Sequence, residues 1–334
     1  MQTNDYGVKG LSRRTALKLI GGLAMSLAGG KLMAGVQPDN NRTGPSPLLR
    51  PIPATGEMIP AVGLGTARTF SLAGLGMGRR GTVAEAGASP EELATLKEVL
   101  KLLHAEGGRL IDSSPMYGTA EELVGDFAAE LGIVDELFMT TKVWVDGREA
   151  GIRQMEESMA LLHTEPLDVM LIHNLRDWRT HYRTLRDWQE QGRLRYIGIS
   201  HSQTAAHGEV ERVLRAERFD IFQINYNILD SNADERLFPL AEEQGLAVLV
   251  NEPFGSGGLF GRVKGRSLPP WAAEFDAKSW AQFFLKFVIG HPMVTCALPA
   301  TSKPKHVVDN TRAMYGPLPD AAQRKRMAEF IQAL

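Results

Sequence analysis

The chain has 334 residues, of which 43% are hydrophobic and 23% are charged, proportions that are ordinary for a globular protein with a buried core. The formal net charge of −2 gives no reason to expect a nucleic acid or an acidic membrane surface as a partner. Cys296 is the single cysteine, which excludes an intrachain disulfide framework and a cysteine-based metal site. The length allows one large α/β domain or two medium-sized ones.

The first fifty residues differ in composition from the rest of the chain. Arg13 and Arg14 precede an apolar, glycine-rich run over residues 19–30, and a polar stretch follows over residues 37–47. A basic start, a short apolar run and a small-residue exit are typical of an export signal, and this run is too short to span a bilayer.

The paired arginines point to one export route in particular. Residues 12–18 resemble a twin-arginine (Tat) signal, with Ala16 in place of the usual Phe. We therefore predict a Tat signal over residues 1–34, a linker over residues 35–49, and export to the periplasm by the Tat machinery without stable membrane insertion. The alternative is a basic amphipathic helix or disordered arm, with the protein kept in the cytoplasm if the signal is not functional.

Residues 50–334 alternate strand-like and helix-like segments. A hairpin is predicted over Pro51–Pro60, with its turn at Thr55-Gly56. Eight strands are predicted after it, over Ala61–Thr66, Arg109–Asp112, Leu137–Lys142, Leu167–His173, Leu194–Ser200, Asp220–Asn225, Ala247–Asn251 and Val294–Leu298. Apolar spacings of three and four residues predict helices between them, over Pro90–Glu106, Ala120–Leu131, Gly151–His163, Tyr182–Gln191, Glu209–Glu217, Asp234–Gln244 and Ser279–Ile289.

Eight alternating units predict an α/β fold, a (β/α)8 TIM barrel with an N-terminal β-hairpin. Short helices over Lys305–Asn310 and Asp320–Ala333 complete it as extra C-terminal elements. A doubly wound open sheet is the alternative, but no G-x-G-x-x-G follows the first predicted strand. Residues 74–78 are glycine-rich without a strand leading in, and we interpret them as part of a lid or insertion.

Polar residues that can do chemistry lie at the ends of three consecutive predicted strands. Asp112 ends one strand with Tyr117 just beyond, Lys142 ends the next, and His173 ends the third. Singly, each has an ordinary structural explanation as a loop cap, a packed ring, a surface charge or a hydrogen-bonded loop histidine. Because the carboxyl ends of barrel strands share one face, their joint placement predicts an active site.

These four side chains suit proton transfer to a carbonyl group. A phenol with a pKa near 10 is a poor proton donor at neutral pH, but a nearby ammonium lowers that pKa, so we expect Lys142 to make Tyr117 a competent general acid or base. Asp112 would hold Lys142 in place, and neutral His173 can hydrogen-bond a carbonyl oxygen. The set predicts carbonyl reduction by a hydride that a cofactor must supply.

Asp112, Tyr117, Lys142 and His173, in this order, resemble the catalytic tetrad of the aldo-keto reductases. The similarity runs from about Arg50 to the C-terminus and is carried by GLGT at 63–66, the segment 112–122 that ends in MYGTAEE, LIHN at 171–174 and LPATSKPKHVVDN at 298–310. It implies a (β/α)8 barrel that binds NADP(H), less often NAD(H), without a Rossmann glycine loop. It also implies reduction of aldehydes and ketones, or the reverse oxidation of alcohols.

The resemblance also implies two groups of cofactor contacts. The nicotinamide carboxamide would be bound by Ser200, His201 and Gln223. The adenosine end of the cofactor would be bound by Thr301, Ser302, Lys303, Asp309 and Asn310. The substrate pocket would be shaped by Met116, Trp144, Asn174, Trp178 and the loops 71–89 and 251–278. For Trp178, packing within a helix is an equally good alternative.

Three positions depart from the family pattern. His201 replaces the Asn that usually follows the serine, and Asn251 stands where many members place an aromatic residue that stacks on the nicotinamide. His306 replaces an Arg that often holds the 2′-phosphate, so NAD(H) remains the alternative to NADP(H).

Two other function classes remain open from sequence. One is a non-catalytic nucleotide-binding barrel that regulates a partner, which the altered nicotinamide contacts permit. The other is a metal-dependent barrel hydrolase, which needs clustered His, Asp and Glu ligands; no His-x-His follows the first predicted strand. We therefore predict no metal site.

Overall fold

The computed structural model describes residues 46–72 and 78–334. The predicted Tat signal, most of the linker, and all but the last residue of the glycine-rich run 74–78 lie outside the described residues. Within the described ranges, no helix is long and apolar enough to cross a membrane.

A β-hairpin opens the described chain. Strand β1 (Leu49–Ile52) pairs antiparallel with β2 (Glu57–Pro60), so that Leu49 faces Pro60 and Ile52 faces Glu57. Gly56 has a φ of +74° at the turn, a conformation that glycine adopts without steric cost.

The later strands of the described chain form a barrel sheet and one separate pair. They are β3 (Leu64–Gly65), β4 (Arg79–Arg80), β5 (Leu110–Asp112), β6 (Tyr117–Gly118), β7 (Phe138–Val143), β8 (Leu167–His173), β9 (Leu194–Ser200), β10 (Ile221–Asn225), β11 (Ala247–Asn251) and β12 (Val294–Ala297). All except β4 and β6 belong to one parallel sheet, in the spatial order β12-β11-β10-β9-β8-β7-β5-β3. The two edges of this sheet meet: Val62 bridges Ala297 and Gly65 bridges Ala300. The sheet therefore curls onto itself in a TIM-barrel-like α/β fold.

The first predicted strand is shorter than its apolar run suggests. Only Leu64 and Gly65 form a regular strand, although the prediction covered residues 61–66. The neighbouring residues make single bonds across the closing seam instead: Gly63 N–H donates to Ala297 O at 2.9 Å. A Cβ at Gly63 would lie 2.6 Å from Leu110 O, so this close approach requires glycine.

Helices flank the barrel strands. They span Val83–Ala86, Pro90–Ala105, Ala120–Leu131, Arg148–Leu161, Trp178–Glu190, His207–Ala216, Ala233–Gln244, Gly258–Arg262, Trp280–Ile289, Pro304–Thr311 and Ala321–Gln332. A capping box starts the second of them, where Ser89 and Glu92 bond each other's backbone N–H. The helices at Arg148 and Trp178 begin three and four residues earlier than predicted, and neither of their N-cap residues, Gly147 and Asp177, makes a side-chain cap hydrogen bond.

The buried apolar residues form two cores. The larger lies between the sheet and the helices. The smaller joins inward-facing residues of the strands to the hairpin and comprises Ile52, Ile59, Leu110, Phe138, Val169, Leu171, Tyr196, Ile221, Ala247, Leu249, Cys296 and Leu298. The hairpin thus packs against the barrel interior and closes its amino-terminal end, leaving the carboxyl ends of the strands for function.

The separate strand pair lies beside the barrel. Strand β4 runs parallel to β6, with Arg79 opposite Tyr117 and Arg80 opposite Gly118. The segment that bears Tyr117 is therefore held by backbone bonds to the insertion that precedes it in the chain.

Candidate active site

The structure brings the four predicted catalytic side chains together at the carboxyl ends of neighbouring strands. Asp112 ends β5, Lys142 is the penultimate residue of β7, and His173 ends β8, while Tyr117 begins β6. Their exposed fractions are 5% for Asp112, 8% for Tyr117, 0% for Lys142 and 7% for His173. The site is thus almost closed to bulk water, which strengthens electrostatic interactions within it.

Lys142 is held by three oxygen atoms. Its Nζ donates to Asp112 Oδ1 at 2.8 Å, to Asp112 Oδ2 at 2.9 Å and to Ser113 O at 2.7 Å. Burial alone would lower the pKa of Lys142, but Asp112 and Tyr117 together outweigh it, and the pKa is raised above its usual value. Lys142 is therefore a fixed positive charge at the base of the site.

Tyr117 lies next to this charge. The Lys142 Nζ is 5.0 Å from the centre of the Tyr117 ring. The sequence led us to expect a lowered phenol pKa, and the structure reverses that expectation: burial raises the pKa of Tyr117, and Lys142 only partly offsets it because Asp112 also raises it. The phenol therefore keeps its proton at neutral pH.

His173 faces Tyr117 across the site. The two ring centres are 6.5 Å apart with an interplanar angle of 89°, and His173 Nδ1 lies 2.8 Å from Ser200 Oγ. Burial, followed by the charges of Lys142 and His201, holds the pKa of His173 well below its usual value. The imidazole is neutral, and when Ser200 donates to Nδ1, the Nε2 proton is free to face a ligand.

Gln223 and Asn251 link the predicted nicotinamide contacts to the tetrad. Gln223 Nε2 donates to Asp112 Oδ1 at 2.8 Å, so one of the two N–H donors of this amide is already used. Asn251 Nδ2 donates to His201 O at 3.0 Å and lies 3.5 Å from Gln223 Oε1. The reverse amide orientation would set oxygen against oxygen, so these contacts fix it. Asn251 Oδ1 is left buried without a hydrogen-bond partner.

His201 is occupied by its own loop. Its Nδ1 accepts the N–H groups of Ser202 at 3.1 Å and Gln203 at 3.2 Å. Burial lowers the pKa of His201 below its usual value. The ring therefore shapes the turn after β9, and its backbone carbonyl orients Asn251.

Two cavities open at this end of the barrel. The first, about 470 Å³, contains the tetrad residues Asp112, Tyr117 and His173 together with Gln223 and Asn251. The second, about 290 Å³, is lined by three of the predicted adenosine-end residues, Thr301, Asp309 and Asn310, and by His306 and Trp280. Both share Phe254, Phe260 and Ala300 in their walls, so they form adjoining parts of one groove.

The remaining predicted residues lie around this groove. Ser302 is partly buried and Lys303 exposed, at the start of the helix Pro304–Thr311, where Lys303 N–H donates to Thr301 Oγ1 at 3.1 Å. Met116 and Asn174 line the first cavity. Trp144 and Trp178 are not among the residues that line the first cavity: Trp144 lies against the Arg176 guanidinium, and Trp178 packs against the larger core, which is the alternative role that the sequence allowed for it.

The aromatic wall of the groove was not singled out from the sequence. Phe254 and Phe260 fell within a loop named only by its range, and Trp280 within a predicted helix. The ring centres of Phe254 and Phe260 are 4.9 Å apart, and Phe260 is 39% exposed. The sequence signal that could have indicated this wall is the pair Phe254 and Phe260, which lie six residues apart in a glycine-rich loop.

The donor set suits an organic cofactor better than a metal ion. Residues 46–72 and 78–334 contain no group of three or more His, Cys, Asp or Glu side chains that could hold a metal. An unpaired buried acceptor at Asn251 Oδ1 beside the tetrad, and an aromatic-walled groove leading away from it, fit the amide and the extended body of a nicotinamide dinucleotide.

Comparison with known proteins agrees with this geometry. The family described as "Aldo/keto reductase family" matches residues 73–329. Methylglyoxal reductase YeaE of Escherichia coli strain K12 is 27% identical over 256 residues, covering 73% of this chain and 86% of that protein. Aldo-keto reductase AKR2E4 of Bombyx mori is 28% identical over 278 residues, covering 75% and 86%.

A solved structure shares the fold. An aldo/keto reductase from Klebsiella pneumoniae, in complex with NADP and acetate, superposes with a TM-score of 0.66 at 23% identity, covering 83% of this chain and 93% of that one. The similarity at this identity concerns the fold.

Proposed function

Because this chain belongs to the aldo/keto reductase family, we propose that it is an NADP(H)-dependent oxidoreductase that reduces aldehyde or ketone carbonyls, with Tyr117 as the general acid. The observation that carries the proposal is the buried Lys142–Asp112 ion pair beneath a protonated Tyr117 that faces a neutral His173. The names of the relatives, a methylglyoxal reductase and a reductase bound to NADP, support it.

The chain's own residues suit a bound nicotinamide dinucleotide. NADPH, when bound, supplies the hydride that reduces the carbonyl carbon. In this proposal Ser200, Gln223 and Asn251 hold the carboxamide, and the buried, unpartnered Asn251 Oδ1 supports the assignment. The adenosine would be held by Thr301, Ser302, Lys303, Asp309 and Asn310, and the support is that Thr301, Asp309 and Asn310 line the second cavity.

The tetrad then handles the proton. Tyr117 donates its hydroxyl proton to the carbonyl oxygen as negative charge develops there, and His173 Nε2 orients the same oxygen. Lys142 stabilises the phenolate left on Tyr117, while Asp112 keeps Lys142 charged and in place. Because the four side chains are buried, bulk water is excluded from the site and does not weaken these interactions.

The cavity volume indicates the size of the substrate. The cavity of about 470 Å³ beside Tyr117 has room for a nicotinamide ring and a small substrate, and the name of the relative methylglyoxal reductase makes small aldehydes and 2-oxoaldehydes the first substrates to test. His306 is neutral, since burial lowers its pKa, so NADPH and NADH should be compared directly.

One assay tests this function. Loss of NADPH absorbance is followed with a panel of small aldehydes, using the wild type and Tyr117→Phe. We expect turnover by the wild type and a loss of at least about a hundredfold in the variant, with the dissociation constant for NADPH unchanged.

Two outcomes contradict the proposal. A wild type that binds NADPH but turns over none of the panel supports the non-catalytic, regulatory barrel instead. Full activity in Tyr117→Phe refutes the assigned role of the phenol.

We further propose that residues 1–34 act as a Tat signal and that the mature barrel is periplasmic. The paired arginines before a short apolar run support this proposal. Fusion of residues 1–49 to a reporter that is active only after folded export should give a periplasmic signal that Arg13→Lys/Arg14→Lys abolishes. Equal export of both fusions would refute it.

A further inference from the structure

The segment that carries Tyr117 is held from outside the cavity. Gly78 N–H donates to Met116 O at 2.9 Å, and Gly81 N–H donates to Gly118 O at 3.3 Å. These bonds flank the pairing of β4 with β6, in which Arg80 lies opposite Gly118. Movement of β4 would therefore move the backbone of Tyr117.

Arg80 anchors β4 to the body of the barrel. Its Nη2 donates to Glu121 Oε2 at 2.6 Å and to Ser158 Oγ at 2.7 Å, and its Nε lies 3.2 Å from the same Glu121 oxygen. Glu157 pairs with Nη1 of the same guanidinium. The side chain of Glu121 is 2% exposed and that of Arg80 is 16% exposed, so this ion pair is largely removed from water.

Glu121 connects this anchor to the strand of Lys142. Its second oxygen, Oε1, accepts a hydrogen bond from Thr141 Oγ1 at 2.6 Å, and Thr141 directly precedes Lys142 in β7. Successive residues of a strand point to opposite faces. Thr141 is therefore bonded on the outside of the sheet while Lys142 faces the site.

An unbroken chain of contacts thus joins the proton donor Tyr117 to Lys142, the charge that stabilises its phenolate. It runs from the Tyr117 backbone through β4 to the Arg80 guanidinium, then through Glu121 to Thr141 and Lys142. Arg80 is not among the residues that line the cavities, so it has no role in contacting a ligand there. Both ends of the chain are catalytic, and its centre is a buried ion pair.

We propose that the Arg80–Glu121 ion pair is a positioning element that sets the separation of the Tyr117 hydroxyl from the Lys142 ammonium, and that proton transfer depends on it. The inference rests on the proposed function for its kinetic consequences. Its geometric content, the coupling of Tyr117 to Lys142, holds independently of turnover.

The test compares Arg80→Met with Arg80→Lys and with Arg79→Met. Arg79 is the exposed neighbour in β4 and serves as the matched control. A fourth variant, Arg80→Met/Glu121→Gln, removes the ion pair without leaving a buried unpaired charge. It keeps the experiment informative if the single change prevents folding.

Two readouts are taken from each variant. The first is kcat, KM and the NADPH dissociation constant across pH. The second is the ultraviolet titration of Tyr117, obtained as the difference between each protein and the same protein carrying Tyr117→Phe. The titration requires no substrate, so it separates failure of this inference from failure of the proposed function.

We expect Arg80→Met and the double variant to lower kcat roughly tenfold to a hundredfold, with NADPH binding within about threefold of the wild type. The alkaline limb of kcat and the titration of Tyr117 should both move to higher pH, because Lys142 no longer stabilises the phenolate as closely. Arg80→Lys should recover part of both effects, and Arg79→Met should match the wild type.

Unchanged titration and an unchanged pH profile in folded Arg80→Met and double variants would overturn the inference, even if their thermal stability falls. So would an equal effect of Arg79→Met.

Discussion

Two opposing influences act on the proton of Tyr117. Burial raises the phenol pKa above its usual value, and the Lys142 ammonium at 5.0 Å from the ring opposes it. Burial prevails, so the acid form is favoured throughout the neutral range. This suits reduction, which uses the phenol as an acid, and it disfavours alcohol oxidation, which uses the phenolate as a base.

The raised pKa of Tyr117 predicts opposite pH profiles for carbonyl reduction and for alcohol oxidation. We expect kcat for carbonyl reduction to be level from about pH 6 to about pH 9 and to fall as the pH rises past the raised pKa of Tyr117. Alcohol oxidation should rise over the same alkaline interval. His173 stays neutral in this range because burial lowers its pKa. Its titration therefore causes no further change of kcat near the usual pKa of histidine. Steady-state kinetics in both directions would check this, and a reduction rate that falls between about pH 7 and pH 8 would contradict it.

The buried amide oxygen of Asn251 leads to a second prediction about a single residue, which concerns cofactor binding. Its Oδ1 is a buried acceptor without a partner, and a hydrogen bond from the carboxamide NH₂ would relieve that cost. The 3-acetylpyridine analogue of NADP⁺ replaces this NH₂ by a methyl group. We expect the wild type to bind the analogue about tenfold more weakly than NADP⁺, and Asn251→Leu to bind both with similar affinity. Fluorescence titration measures the four dissociation constants, and a tenfold preference that survives in Asn251→Leu would refute the contact.

The residues of the tetrad could be predicted from sequence because each one ends an apolar run. The contacts between their side chains could not. Gln223 donates to Asp112 across 111 positions of chain, and Arg80 reaches Glu121 from an insertion with no periodic pattern. The raised pKa of Tyr117 likewise depends on how completely the packed barrel excludes water, which residue types at strand ends do not specify.

At the scale of elements, close packing between helices depends on one glycine. Gly125 is buried within the helix Ala120–Leu131, and a Cβ there would lie 1.8 Å from Leu161 O and 2.9 Å from His163 Cδ2. The backbone oxygen cannot rotate away as a side chain can, so this helix pair needs a residue without a Cβ.

Gly125→Ala should therefore lower the free energy of unfolding by roughly 1–3 kcal/mol, despite the better helix propensity of alanine. Gly208 provides the control, because it lies in the helix His207–Ala216 and a Cβ added there would meet nothing within 4 Å. Gly208→Ala should be neutral or stabilising by up to about 1 kcal/mol. Urea denaturation compares the two, and equal effects would refute the packing argument.

The bounds of some strands can be predicted from the sequence alone, and those of others cannot. Strands β8, β9 and β11 have the predicted bounds, because each is a mostly apolar run in which nearly every residue is buried. β3 is cut to two residues by glycines at the closing seam. Its regular length depends on how the two edges of the sheet meet, which is a property of the closed fold.

At the scale of the whole molecule, a buried lysine connects the C-terminal segment to the barrel. Lys286, in the helix Trp280–Ile289, has a fully buried side chain, and its Nζ donates to Tyr315 O at 2.7 Å and Pro317 O at 3.0 Å. Burial lowers the pKa of Lys286 to about 8, with Asp276 partly opposing it. A neutral amine still has two N–H donors for these two carbonyls.

This predicts a pH dependence of global stability with a definite sign. Between about pH 8 and pH 10.5 the unfolded chain keeps the Lys286 proton while the native protein has lost it, so the contribution of Lys286 to stability rises with pH. The free energy of unfolding of the wild type, minus that of Lys286→Met, should increase over this interval. A difference that is flat or falls with pH would refute the prediction.

The hairpin that closes the amino-terminal end of the barrel has a consequence for redox chemistry. Cys296 belongs to the core sealed by Ile52 and Ile59, is 0% exposed, and burial raises the pKa of its thiol. Only a thiolate that solvent can reach reacts readily with oxidants or disulfides. While the barrel stays closed, the Cys296 thiol is protected, and the folded protein can pass between reducing and oxidising surroundings without a change at its one cysteine.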